Sequence, residues 1–194
     1  PNDLAYDEDA DMFYGGNEDG NLFEFSADMG TVNTLFTIPS ESIIGVAYDH
    51  DHGVIYVSNW GGNLWSYDGT DLTDLGMIGV EPWGLAYMPI DEDGLFLWIL
   101  GSDGFLYRYD PVTGEMGDEI RVYGMDEYPG GMDIFAQAPE LNENWWNIAT
   151  FDQNSGYVDY WEGLFELDEI PWIELSEYDG TLEPDATVGI DVLA

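Results

Sequence analysis

An all-β chain of four-stranded blades set around a common axis, a β-propeller, is what this sequence predicts. Three observations predict it. Short runs rich in β-branched and aromatic residues recur between turns made of Gly, Asp and Asn. The glycines that open the third strand of the first three copies, Gly20, Gly62 and Gly104, are spaced 42 residues apart, within the 40–45-residue period typical of blades. No sustained 3.6-residue apolar stripe competes for a helical reading.

The first copy runs Leu4-Ala5-Tyr6-Asp7, Met12 to Asn17, and Gly20-Asn21-Leu22-Phe23-Glu24-Phe25. The second runs Val46-Ala47-Tyr48-Asp49, Val54 to Asn59, and Gly62 to Asp68. The third runs Leu85-Ala86-Tyr87-Met88, Phe96 to Gly101, and Gly104 to Asp110. A weaker fourth copy holds Met132 to Phe135, Trp146 to Thr150 and Gly156 to Trp161, with extra residues around Pro139 to Asn144. Gly61-Gly62-Asn63 and Asp103-Gly104 read as hairpin turns. Fourth strands are expected at Thr31 to Ile38, Leu75 to Val80 and Glu119 to Tyr123. The blades therefore span about 1–39, 40–81, 82–128 and 129–163. Pro1-Asn2-Asp3-Leu4 aligns with Pro82-Trp83-Gly84-Leu85 and with Pro129-Gly130-Gly131-Met132. The chain thus opens at a blade boundary, either as a four-bladed whole or as an arc of a larger polypeptide, and the latter is the favoured expectation.

These repeats, and best of all Leu106-Tyr107-Arg108-Tyr109-Asp110-Pro111-Val112-Thr113-Gly114-Glu115, resemble the NHL- and YVTN-like blades of bacterial exported propellers. That resemblance implies the fold over about residues 1–163. It leaves function open, because such families include lyases, sugar-binding domains and scaffolds. Residues 164–194 break the repeat. Pro171 to Ser176, Gly180 to Pro184 and Val188 to Val192 resemble the opening strands of a BACON-type immunoglobulin-like module. The plain alternative is a C-terminal extension whose strands pack on the last blade.

Composition narrows the function classes. The 194 residues carry 41 acidic side chains against two basic ones, Arg108 and Arg121, for a formal net charge of −39. Phosphate binding needs clustered Lys and Arg, so nucleic acid is excluded as a partner class, and anionic membrane surfaces repel the chain. Self-repulsion on this scale calls for cations that screen or bind carboxylates. A high-salt medium or an extracellular medium rich in divalent cations fits, and the expected location is extracellular or cell-surface. No apolar run is long enough to span a bilayer as a helix. The first residues lack the pattern of a signal peptide, so any export signal was removed or lies upstream. The chain has no cysteine, which removes disulfides, thiol catalysis and zinc–thiolate sites.

In a propeller the loops between second and third strands, and from each fourth strand to the next first strand, share one face. Small-molecule sites gather there, near the axis. That face is expected to hold Asn17, Asp19, Asn59, Trp60, Glu81, Trp83, Asp103 and Tyr128. Aromatic rings beside Asn and Asp suit a carbohydrate; the plain alternative is that Trp60 and Trp83 cover the core between blades. The opposite face carries acidic turns with Asp7, Asp9 and Asp11, with Asp49 and Asp51, and with Asp91 and Asp93. Carboxylates on a tight turn are candidate ligands for Ca²⁺, which takes six to eight oxygens; the plain alternative is a solvated hairpin turn. No cofactor beyond a candidate Ca²⁺ is implied. His50 and His52 form half of a transition-metal site at best.

No Ser–His–Asp arrangement is readable and no lysine exists, so only carboxylate chemistry remains open to catalysis. The leading expectation is a non-catalytic module that binds a ligand or protein within a larger surface protein or assembly. Its partners are then other domains or neighbouring subunits. A carboxylate-dependent glycoside-active propeller and a calcium-bridged assembly subunit are the alternatives.

Overall fold

The computed structural model describes residues 3–89, 93–122, 129–136, 146–153, 156–162, 174–175 and 192–193. The chain divides into two compact units, Pro1–Glu162 and Gly163–Ala194.

The first unit is a β-propeller. Its first blade is the meander β1 (Leu4–Asp7), β2 (Met12–Gly16), β3 (Asn21–Ser26) and β4 (Val32–Thr37). The second is β5 (Gly45–Asp49), β6 (Val54–Ser58), β7 (Asn63–Tyr67) and β8 (Leu72–Met77). The third is β9 (Pro82–Tyr87), β10 (Leu97–Gly101), β11 (Phe105–Tyr109) and β12 (Ile120–Arg121). The fourth shows β13 (Pro129–Ala136), β14 (Trp146–Asp152) and β15 (Tyr157–Glu162) among the described residues. All pairings are antiparallel. In the second unit only β16 (Glu174–Leu175) and β17 (Val192–Leu193) are described, paired antiparallel. The rest of the immunoglobulin-like stretch expected at Pro171 to Val192 lies outside the described residues, as does the loop around Pro139 to Asn144.

The repeat acts through one turn chemistry. Gly20, Gly62 and Gly104 all take positive φ, near 80°, a conformation that glycine alone adopts without strain. The carbonyl of each accepts an amide from the end of its own fourth strand: Ile38 at 2.9 Å, Ile78 at 2.9 Å and Val122 at 3.2 Å. One difference from the sequence expectation concerns β8, which begins at Leu72 rather than Leu75. Asp68 Oδ1 accepts the amides of Thr70 and Asp71, at 2.9 and 2.7 Å. That closes the turn early and releases the strand sooner.

Blades pack face to face. Ala5, Tyr14 and Leu22 of the first meet Val46, Ile55, Val57 and Trp65 of the second. Ala47, Tyr56 and Leu64 of the second meet Leu85, Leu97, Ile99 and Tyr107 of the third. Alternation along each strand sends one set of side chains to the preceding blade and the other to the following blade. The outermost strands β4, β8 and β12 are largely exposed. Their apolar load is correspondingly light.

Candidate functional site

The axis is built from the inner strands β1, β5, β9 and β13, and β1 abuts both β5 and β13. Where the second, third and fourth blades carry Gly45, Gly84 and Gly131, the first carries Asp3. Its buried carboxylate accepts one amide from each of the other three inner strands. Oδ2 takes Val46 N at 3.0 Å and Leu85 N at 2.8 Å, and Oδ1 takes Met132 N at 3.3 Å. Two of the three glycines stand in close quarters. A Cβ on Gly84 would stand 2.7 Å from Met132 N, and one on Gly45 would stand 2.6 Å from Ser58 Oγ. Burial holds the Asp3 carboxyl well above the usual carboxylate range, opposed by these amides and that of Leu4.

Next along the axis is a cavity of about 20 Å³, lined among others by Ala5, Ala47, Ala86, His50 and Asp133. It has room for a single water. A sugar ring does not fit in that cavity. Asp133 takes the place of Ala47 and Ala86. It keeps more than a third of its surface open on one side yet stands among apolar walls on the other, and desolvation pushes its carboxyl up to about 6.

The acidic turns are internally braced. Asp7 Oδ1 accepts the amides of Asp9 and Ala10, at 3.0 and 3.2 Å, and Oδ2 accepts the Tyr14 hydroxyl at 3.3 Å. Asp49 repeats this with Asp51 and His52, at 3.0 and 3.1 Å. The next blade joins in. Tyr48 is pushed up to about 12, first by burial and then by its hydrogen bond to Asp7. Tyr87 is raised by burial and by the charge and hydrogen bond of Asp49. The recurring Tyr-Asp pair at the end of β1 and β5 is thus a blade-to-blade tie. Asp11 accepts the Tyr6 hydroxyl at 2.9 Å, and Asp93 pairs with Arg108 at 3.1 Å. Asp9 and Asp51 are exposed, and Asp91 lies outside the described residues. Among the described residues no three acidic or histidine side chains group in a way that could hold a metal ion. His52 Nδ1 lies 2.9 Å from Asp49 Oδ2, whereas the His50 ring sits edge-on to Tyr48, so the two have separate surroundings.

On the opposite face the structure brings Asp19, Asn59 and Trp60 of the expected ligand residues together, with Trp83 against Trp60. An open basin of about 820 Å³ is lined by Glu18, Asp19, Ser40, Glu41, Ser42, Asn59, Trp60 and Gly61. Trp60 is 40% exposed and meets Trp83 edge to face, with centroids 4.7 Å apart. Asn59 is buried and braces the turn through Oδ1, which accepts Asn63 N at 2.9 Å. Its Nδ2 donates to Glu41 Oε2 at 2.6 Å and so aims that carboxylate. Asn17 is the same device one blade earlier, its Oδ1 accepting Asn21 N at 2.9 Å. Asp103 braces its own hairpin, accepting Phe105 N at 3.2 Å and the Tyr107 hydroxyl at 2.7 Å. Glu81 accepts the Ser102 hydroxyl at 3.3 Å. Tyr128 lies outside the described residues.

No protein-family model and no curated protein matches the sequence. Solved structures do. A chain of a nidogen/laminin complex superposes with a TM-score of 0.50 at 15% identity, over 75% of this chain and 59% of that one. Sqt1 of Saccharomyces cerevisiae gives a TM-score of 0.50 at 13% identity, over 83% and 45%. This chain therefore spans less than two thirds of either structure. At such identities the likeness carries the β-propeller fold.

Proposed function

We propose that this propeller is a protein-binding module that captures a basic, Lys- or Arg-bearing segment of its partner in the basin around Trp60. One observation carries this: an exposed indole, propped edge-on by Trp83, stands in a basin whose charged groups, Glu18, Asp19 and Glu41, are all carboxylates. A cation over an indole face gains about 0.5–2 kcal/mol, and the surrounding potential steers it there. One of the structures this chain resembles is a nidogen/laminin complex, which supports a protein as the ligand. An extracellular or cell-surface setting belongs to the same proposal. A carbohydrate is the second reading, favoured by the open Trp60 face; against it, the Asn59 amide is engaged by Glu41 and Asn63.

The test is calorimetric titration with a Lys-rich peptide, its Lys→Gln counterpart and a glycan panel. Binding of the Lys peptide alone is expected, weakened roughly 3- to 30-fold by Trp60→Ala and weakened again by salt. Equal binding of the Gln peptide, or binding of glycans only, overturns the reading.

A further inference from the structure

Glu41 is held in place from three sides. Its amide donates to the Ile38 carbonyl at 3.3 Å. Its own carbonyl lies so close to Gly20 that a Cβ there would stand 2.7 Å away. Its Oε2 accepts Asn59 Nδ2 at 2.6 Å. Asn59 is itself fixed: it is buried, and its Oδ1 accepts the Asn63 amide at 2.9 Å. Ser40, just before Glu41, takes a φ of 67°, left-handed backbone that serine seldom adopts, so contacts rather than local preference shape this loop. Glu81 holds the matching place at the next junction, three residues after Ile78 as Glu41 is after Ile38, and it lacks the brace. Where the 42-residue repeat of Asn17 and Asn59 would put a third asparagine stands Gly101. Glu81 meets instead the rotatable Ser102 hydroxyl, at 3.3 Å. Beside Glu41 in the basin is the half-open face of Trp60, its plane set by Trp83 at 77°. A carboxylate and an aromatic plane are thus both fixed in orientation at one place.

We propose that the basin selects arginine over lysine in its partner, an inference that rests on the protein-binding reading above. A guanidinium is planar. It lies flat on an indole while its fork of N–H donors meets a carboxylate with two bonds. Each carboxylate oxygen takes two hydrogen bonds, so the one from Asn59 leaves both oxygens of Glu41 able to accept. An ammonium is a point charge with no plane to stack, and it gains little from a carboxylate whose orientation is fixed. Glu41 is half-buried, and a guanidinium sheds its water more readily than an ammonium does. Orientation, not charge alone, therefore sets the preference. Asn59 is a positioning residue that acts through Glu41.

Calorimetric titration of the whole chain with three peptides, identical except for bearing Arg, Lys or Gln, tests this. The Arg peptide is expected to bind roughly tenfold tighter than the Lys peptide, the effect of about one extra charge-assisted hydrogen bond. Glu41→Gln still accepts from Asn59 but offers a single oxygen, and should bring the two affinities within about twofold of each other. Asn59→Asp keeps the cap on the Asn63 amide and releases the Glu41 carboxylate. Its added charge should hold or raise the affinity for Lys while the Arg preference falls, which a merely structural loss would not do. Asn17→Asp makes the same charge change one blade earlier and should leave the preference unchanged. Urea midpoints identify any variant that does not fold, and Glu41→Gln then decides. Equal binding of Arg and Lys, both above Gln, overturns arginine selection and leaves the protein-binding reading standing. A preference that survives both Glu41→Gln and Asn59→Asp overturns it too. Three peptides that bind alike, or not at all, overturn both.

Discussion

Removing the Asp3 carboxylate tests whether one side chain ties four blades at the axis. In Asp3→Ala the amides of Val46, Leu85 and Met132 lose their acceptor in a buried place. An orphaned buried amide costs about 1–3 kcal/mol. The low end applies, because removing a desolvated charge offsets part of the loss. Three amides at about 1 kcal/mol each give a loss of about 3 kcal/mol. In urea, with a slope of about 2 kcal/mol/M, the unfolding midpoint falls by roughly 1.5 M. Asp3→Asn keeps one acceptor oxygen and the shape, so about 1 kcal/mol is expected at pH 4. The pH dependence separates the two effects. The folded carboxyl titrates above its unfolded value, so its stabilising share is full below the unfolded value and is lost as pH rises through the folded one. The Asn variant has no such loss, and its deficit should shrink between pH 4 and pH 8. Urea titrations at fixed high salt, monitored by tryptophan fluorescence, measure all of this. An Ala variant with a midpoint within 0.3 M of the parent would refute the axial tie.

Two further substitutions probe the same axis. Gly84→Ala places a methyl 2.7 Å from the Met132 amide nitrogen, which is backbone and cannot swing away; a loss of about 2–3 kcal/mol is expected in the same urea titration. Asp133→Asn removes a carboxyl raised to about 6. Its stabilising share is present below about pH 4 and lost as pH rises towards 6, so Asn should be the more stable residue at pH 8 and bring no gain at pH 4. The full shift corresponds to about 3 kcal/mol, but solvent on its open side reduces this to about 1 kcal/mol, or roughly 2–4 °C in melting temperature.

The fold was legible because it is periodic. Gly20, Gly62 and Gly104 mark a recurring turn that requires glycine, and the strands around them follow from alternation. The end of the Asp68 turn was less legible, since a side chain capping two amides moves a strand boundary without changing the hydrophobic pattern. Of the face proposed for binding, Asn59, Trp60 and Trp83 were named from the sequence as loop residues, whereas Trp83 stands within β9. Glu41 was not, because its role depends on the hydrogen bond that Asn59, 18 residues later, donates to it. Asp3 carried a signal: it stands where the aligned copies have glycine. Its meaning required three dimensions, because the amides it gathers come from residues 46, 85 and 132.

The excess of carboxylates divides by what answers them. Asp3, Asp7 and Asp49 are buried, and the basic group beside them among the described residues is His52, with Nδ1 2.9 Å from Asp49 Oδ2; the two arginines stand elsewhere. One arginine pairs with Asp93 and the other lies 5.1 Å from the Phe105 ring centre. Backbone amides and tyrosine hydroxyls do the work instead, from neighbouring strands and from the next blade. Such dipoles are buried with their charge, and dissolved salt screens them little. Exposed carboxylates such as Asp68 cap their own turns, and the repulsion among them is what salt screens. Raising the ionic strength therefore leaves the ties between blades intact and removes what opposes them. Tyrosine-and-amide anchoring is the arrangement that lets this propeller carry a charge of −39 without building a matching set of cations.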